Sequence, residues 1–443
     1  MRAGDFVPRL LLCVWLAATA APPGMLAQAP ALTPPAAIAL AKPESVGFSS
    51  EVLGRIDEGM QGLVDKQHLA GIVTLVARHG KVVQYKAYGV RDLESRAPMQ
   101  LDTIARIASM TKPITGAAMM MLYEEGKWRP SDPIAKHIPE FANLKVYAGV
   151  DAAGAPILEA PGHPPTMGEL MSHTAGFTYG QFGNTPVDKL YQAAAPLGAP
   201  SLKAFIDKVA ALPLLYQPGQ RWVYSVSVDI QGYLVEKLSG QTFPEFLRTR
   251  IFEPLGMKDT AFYVPEAKLP RLGTVYSWNQ ANGALAPQPR SPQVSRAPGL
   301  PSGGGGLYST AADYFRFAQM LLNGGQLDGV RLLKAGTVEM MRTNVLSAQV
   351  LNSNSGIGQA RFQPAQGFGY DVAVVLDPAG LKSPVGKGTY WWWGIAGTWF
   401  WIDPTNDVVM VGIIQRQGGV PGAINHEDVA RTAVYQALAH PAQ

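Results

Sequence analysis

The chain has 443 residues, of which 47% are hydrophobic and only 16% charged, with 47 glycines and 36 prolines. That balance excludes a coiled coil and a mostly disordered chain, and it indicates a loop-rich globular protein long enough to bury a sizeable core. Lys and Arg number 37 against 33 Asp and Glu, a formal +4 spread without a long basic run; nothing in it points to nucleic acid or an anionic membrane surface, and a small neutral or weakly polar substrate is the expectation.

At the N-terminus, Arg2 and Arg9 lead into an apolar stretch from Leu10 to Ala21 that is followed by small residues, the pattern of an export signal. The small-residue pattern Met25-Leu26-Ala27, with Ala18-Thr19-Ala20 as the alternative, assigns residues 1–27 to the signal and the remainder to a periplasmic or secreted protein. The apolar run is too short for a comfortable span, so no stable membrane insertion of the mature chain is expected. Cys13, the single cysteine, lies inside this segment, so the mature chain would have no thiol for catalysis, disulfides or metal binding. Residues 28–44 are rich in Ala and Pro and read as a linker, with the folded domain over 45–443.

Within that domain, Ser49-Ser50 caps a helix whose apolar positions Val52, Leu53, Ile56, Met60 and Leu63 recur at helical spacing. Next, "GIVTLVARHGKVVQYKAYG" reads as two strands joined at His79-Gly80, and "GTWFWIDPTNDVVMVGIIQ" reads as a second hairpin turning at 403–407. The helical pattern "HEDVARTAVYQALAH" closes the chain. Strands with a helix at each end imply an α+β fold: an antiparallel sheet covered by terminal helices, built from about 45–108 and 300–443, with a mainly helical insertion over about 109–299. The insertion contains "ITGAAMMMLYEEGKW", "TMGELMSH" and "SVDIQGYLVEKLSGQTFPEFLRTRIF", each with apolar residues on a 3.6 period. Gly303 to Gly306 lack a following Lys-Ser/Thr and read as a turn, not as a phosphate loop. The histidines are too scattered for a metal site, and no cofactor or metal is expected.

Chemistry concentrates in three places. "IASMTKPITG" places Ser109 and Lys112 three residues apart at a helix start, so the two side chains share a face, and Ser-x-x-Lys occurs once in the chain. A serine hydroxyl needs a base to become a nucleophile, and a lysine can serve; alternatively Ser109 is an N-cap and Lys112 a solvated helix residue. Tyr224, just before the helix that starts near Val228, can shuttle a proton beside a lysine, or it is a core tyrosine. In "YWWWGIAGTWFWIDP", Gly394 and Gly397 allow close approach to the backbone, so a main-chain N–H after Gly394 can complete an oxyanion hole; the alternative is an aromatic sheet core.

These segments, with "LMSHTAGFTYG", "PGQRWVYS", "IFEPLGMKDTAF" and "GGGLYSTAADYFRFAQMLLNGG" in the same order, resemble the serine β-lactamase and penicillin-binding-protein superfamily. The likeness is to its class C-like branch, which includes the family VIII carboxylesterases. The resemblance implies that Ser109 is the acylated nucleophile, Lys112 its base partner and Tyr224 the proton relay. It further implies that Ser109 N–H and Ile395 N–H form the oxyanion hole, and that Trp392, Trp393 and Gly394 bind substrate. His173 then belongs to a structural helix end rather than a triad. Two positions depart from class C β-lactamases: Val226 replaces the asparagine of Tyr-x-Asn, and Trp392 replaces the lysine that opens the third motif. Both polar handles for a β-lactam are apolar here, which favours an exported serine esterase acting on short-chain or unhindered esters. A weak β-lactamase, a D-amino-acid peptidase, an amide hydrolase and a non-catalytic peptidoglycan-binding module are the alternatives. No Gly-x-Ser-x-Gly elbow occurs, which removes the α/β-hydrolase reading.

Overall fold

The computed structural model describes residues 38–353, 365–438 and, for backbone only, the short pairs 356–357 and 360–361. The expected signal and the first part of the linker lie outside the described residues. Folded structure begins a few residues into the expected linker: Ala41 N–H donates to Val82 O at 2.8 Å, and Pro43–Val46 form a 3₁₀ turn.

The first helix, α1 (Arg55–Asp65), follows a short helical turn capped by the Ser49 side chain, which accepts from Val52 N at 3.3 Å. Strands β1 (Gly71–Arg78) and β2 (Lys81–Gly89) form the expected hairpin. Its two-residue turn has His79 and Gly80 both at positive φ, 51° and 70°, the conformation whose twist matches the flanking strands. After the middle of the chain come β3 (Gln366–Phe368), β4 (Ala373–Val375), β5 (Tyr390–Trp393), β6 (Trp399–Asp403) and β7 (Val408–Ile414). The sheet order is β3-β4-β5-β6-β7-β1-β2, antiparallel throughout. The N-terminal hairpin therefore docks on the last strand, with Ile72 opposite Ile414 and Arg78 opposite Val408.

Both faces of the central strands are covered, which is why every residue of β1 and β7 is buried. On one face, Ile72, Val76, Trp401 and Met410 pack with Ile56 and Met60 of α1 and with Val434 of the C-terminal helix. Gly412 is required here, because the Trp399 indole occupies the space into which a Cβ would project, at 2.1 Å. A helix over Ala311–Leu322 covers the other face, with Tyr314 and Phe400 rings 5.0 Å apart.

In the middle of the chain, α2 (Thr111–Glu124) packs against α3 (Ser227–Ser239). This part is not purely helical. It also carries the hairpins Val146–Val150/Pro156–Glu159 and Tyr276–Asn279/Ala284–Pro287, and Tyr276 and Ser277 pair in parallel with Arg416 and Gln417 just beyond the sheet. Among the described residues, no helix is long and apolar enough to cross a membrane.

Candidate active site

Ser109 is not the N-cap of α2. It lies in a 3₁₀ turn, Ala108–Met110, that precedes the helix, and Ala108 holds a left-handed φ of 44°. The tight turn leads directly into α2, so Lys112 projects one turn further on the same side and its Nζ donates to Ser109 Oγ at 3.3 Å. Lys112 is 1% exposed, which excludes the solvated-helix alternative. Its ammonium also donates to Gly304 O at 2.6 Å and lies 4.4 Å from the Tyr224 ring centroid and 5.3 Å from that of Tyr179. Among the described residues it forms no ion pair. A serine oxygen, a carbonyl and two aromatic faces meet its charge.

The carbonyl partner is positioned from below. Asp229 on α3, fully buried, accepts from Gly304 N at 3.1 Å, from Tyr179 Oη at 3.1 Å and from the Ser302 hydroxyl. Burial raises the Asp229 carboxyl above the usual carboxylate range, and the Lys112 charge and these hydrogen bonds oppose that rise. Burial, followed by the Asp229 charge, raises the Tyr179 phenol well above its ordinary value, which keeps it a neutral donor. The glycine run is what lets these elements close. A Cβ on Gly304 would lie 2.4 Å from Tyr179 Oη, and one on Gly303 would lie 2.4 Å from Val228 O.

Tyr224 lines the cleft beside Ser109 and reaches Lys112 through its ring face; among the described residues no hydrogen bond joins its hydroxyl to Ser109. An aromatic cluster holds the ring: Trp222 stacks on it at 6.0 Å, and Trp392 and His173 lie 5.6 and 5.3 Å away. His173 is buried, its Nδ1 lies 3.0 Å from Ser225 Oγ, and burial, then the Lys112 charge, lowers its pKa well below the ordinary value. A neutral histidine behind the tyrosine, with no contact to Ser109, has no triad geometry.

Trp392 does not stand where a substrate-binding side chain would. It is 1% exposed and packs on Trp222, Tyr224 and Phe368. Side chains alternate along β5, and position 392 faces this inner cluster. Val226 is also fully buried, so neither departure from the class C pattern leaves a side chain in the cleft. Trp393, 37% exposed, does line the cleft, as does Ile395. Gly394 admits no side chain: a Cβ there would sit 2.4 Å from Ile107 O, the residue just before the Ser109 turn. Gly394 N donates to Thr398 O at 2.7 Å and Gly397 N to Gly394 O at 2.8 Å. This tight turn presents Ile395 at the cleft near Ser109, and among the described residues neither Ser109 N–H nor Ile395 N–H donates to a protein acceptor. Two free amides at one cleft are the elements of an oxyanion site.

The cleft measures about 760 Å³. Among the described residues no cluster of His, Cys, Asp and Glu could hold a metal ion. Sequence reasoning missed Tyr179, Asp229, Ser302 and Gly304. Tyr179 lies in the quoted "TAGFTYG" and Gly304 in the glycine run, but only the three-dimensional convergence on Lys112 marks them.

A serine in a 3₁₀ turn, hydrogen-bonded to a buried lysine at the start of α2 and opening on a cleft, is an arrangement suited to serine hydrolase chemistry. The Beta-lactamase family profile matches residues 56–434, and the chain belongs to that family, as a serine hydrolase of the β-lactamase fold. It is 38% identical over 354 residues to Protein Rv1367c of Mycobacterium tuberculosis, covering 78% of this chain and 86% of that protein. It is 30% identical to Esterase EstB of Burkholderia gladioli, covering 80% and 88% of the two chains. The solved structure of EstCE1, described as a hydrolase with promiscuous acyltransferase activity, superposes with a TM-score of 0.73 at 26% identity, covering 87% of this chain and 99% of that one.

Proposed function

We propose that this protein is an exported serine esterase that cleaves carboxylic esters, short-chain ones above all, through an acyl-enzyme on Ser109. The observation that carries the reading is the 3.3 Å hydrogen bond from buried Lys112 to Ser109 Oγ at a cleft that also holds Tyr224 and Ile395. The reacting form has Lys112 as the neutral amine: Ser109 Oγ attacks the ester carbonyl carbon while its proton passes to Lys112 Nζ, which becomes the ammonium. Ser109 N–H and Ile395 N–H receive the oxyanion, where each aligned donor contributes roughly 3 kcal/mol of transition-state stabilisation. The ester C–O bond breaks as Tyr224 protonates the departing alcohol and recovers its proton from Lys112. Water then releases the acid by the reverse route. The EstB relative supports an ester over an amide.

A β-lactam presents an acylamino group that must lose water on entering the cleft. Buried Val226 supplies no partner for it, and leaving such a group unpaired costs about 1–3 kcal/mol. The test is a panel of p-nitrophenyl esters of increasing chain length beside nitrocefin. The best ester should exceed nitrocefin in kcat/KM by at least about a hundredfold. Nitrocefin turned over as well as the best ester would replace the esterase reading with a β-lactamase. Export rests on the Arg-flanked apolar N-terminal stretch, and mass spectrometry of the exported chain should find its first residue near Gln28. Active membrane-bound protein retaining Met1 would overturn it.

A further inference from the structure

The cleft is not neutral. Three arginines line it, Arg106, Arg290 and Arg296, and no Asp or Glu among the described residues does. Arginine side chains elsewhere in the molecule are mostly engaged: Arg271 with Asp259 and Asp102, Arg316 with Asp328, Arg431 with Asp428. Among the described arginines only Arg96, Arg106, Arg290 and Arg296 have guanidinium groups without a hydrogen bond, ion pair or aromatic partner, and three of these four stand at the cleft. A guanidinium is always charged and presents a planar fork of donors suited to a carboxylate. Arg290 also acts on the Asp92 carboxylate, but none of the three has a hydrogen-bond or ion-pair partner among the described residues, and three such guanidinium groups at one concave site suit an anion that arrives with the substrate.

Their backbones are anchored. Arg106 pairs with Tyr308 three residues before Ser109, and the Gln415 side chain clamps it on both sides, accepting from Arg106 N at 3.0 Å and donating to Arg106 O at 3.1 Å. The loop carrying Arg290 and Arg296 is pinned between them by Val294, which packs with Ile104, Val264 and Leu272 and whose carbonyl accepts from Val264 N at 2.9 Å. Arg106, Arg290 and Tyr308 line the same cleft, and the charges of both arginines oppose the burial that raises the Tyr308 phenol.

Building on the esterase reading, we infer that the cleft selects esters carrying a carboxylate away from the scissile bond, held by Arg106, Arg290 and Arg296. The inference refines the substrate class: a half-ester of a dicarboxylic acid, or an acyl ester of an acidic alcohol, in place of a wholly neutral ester.

Matched pairs test it. Mono-p-nitrophenyl adipate is compared with p-nitrophenyl hexanoate for a charge on the acyl half, and para-acetoxybenzoate with its methyl ester for a charge on the alcohol half. In at least one pair the anionic member should have the higher kcat/KM by about tenfold or more, and the ratio should shrink as salt is added. In the triple variant Arg106→Gln, Arg290→Gln, Arg296→Gln the same ratio should fall toward one; because it is taken within each protein, a change in folded fraction cancels. Hydrolysis of the neutral esters with no anionic preference in either pair overturns the inference and leaves the esterase reading standing, as does a preference that survives the triple variant. Turnover of none of the four esters overturns the esterase reading itself, and the inference with it.

Discussion

Lys112 donates to Gly304 O at 2.6 Å, a shorter contact than its 3.3 Å bond to Ser109 Oγ. The ammonium is thus moored to a loop far away in sequence, and Asp229, through Gly304 N, holds that loop. The lysine is positioned by main chain and aromatic faces, without an ion pair to restrain it against Ser109.

Ser109→Ala should abolish ester turnover and fluorophosphonate labelling while leaving thermal stability close to wild type, because a methyl group still fits the 3₁₀ turn. The expected loss in kcat is at least about a thousandfold, as for other acyl-transfer nucleophiles. A variant retaining a tenth of the activity would place the nucleophile elsewhere.

Lys112 and Tyr224 should behave as one unit. With the ammonium 4.4 Å from the tyrosine ring centroid, Lys112→Met combined with Tyr224→Phe should lose about as much kcat as the worse single variant, not the product of the two losses. Steady-state kinetics on one p-nitrophenyl ester decide this, and additive losses in log kcat would reduce one of the residues to a structural part.

Gly394→Ala should damage the site more than its size suggests. The added methyl would meet the Ile107 carbonyl oxygen at 2.4 Å, a backbone atom that cannot swing aside as a side chain would, so either the Ile395 turn or the Ser109 turn must move. Overpacking of this kind costs about 1–3 kcal/mol, and kcat should fall at least about tenfold with little change in KM. Denaturant melts and kinetics on the same preparation check both parts, and wild-type kcat would remove the turn from the oxyanion site.

His426 should make the fold acid-sensitive. It is buried, its ring lies 4.7 Å from that of Trp399, and its Nε2 lies 3.3 Å from Gly397 O. Burial, then the Arg416 charge, pushes its pKa down to about 4, against 6.5 for the free group. Between those values the unfolded chain binds a proton that the folded chain refuses, so stability falls as pH drops through the window, by roughly 3 kcal/mol at the acid end. His426→Gln should flatten the dependence of Tm on pH over that range, whatever it does to Tm at neutral pH. A variant as steep as wild type would assign the acid sensitivity to other groups.

The portions of the site legible in the chain are those governed by local geometry. Ser109 and Lys112 meet because three residues along a helical start return a side chain to the same face, and no distant contact is needed to know it. The His79-Gly80 turn and the 3.6 period of Ile56, Met60 and Leu63 are local in the same sense. Trp392 shows where this ends. The resemblance assigned both Trp392 and Trp393 to substrate, and only the packing of β5 against Trp222, Tyr224 and Phe368 decides that Trp392 turns inward while Trp393 stays at the cleft.

Charge shows the same division. A formal +4 without a basic run suggested a neutral or weakly polar substrate, because composition records how many charges there are and not where they gather. Arg106 belongs to a short strand paired with Tyr308, while Arg290 and Arg296 come from a loop pinned by Val294, so their presence at one cleft is a product of the fold. The Ser-x-x-Lys start, the terminal helices and the glycine turns were determined by the sequence itself, through spacings shorter than one or two turns of chain. The Gly304 acceptor for Lys112, the inward Trp392 and the arginine wall were decided only by tertiary structure, because each depends on segments distant in sequence whose approach is set by packing and not by local backbone preference.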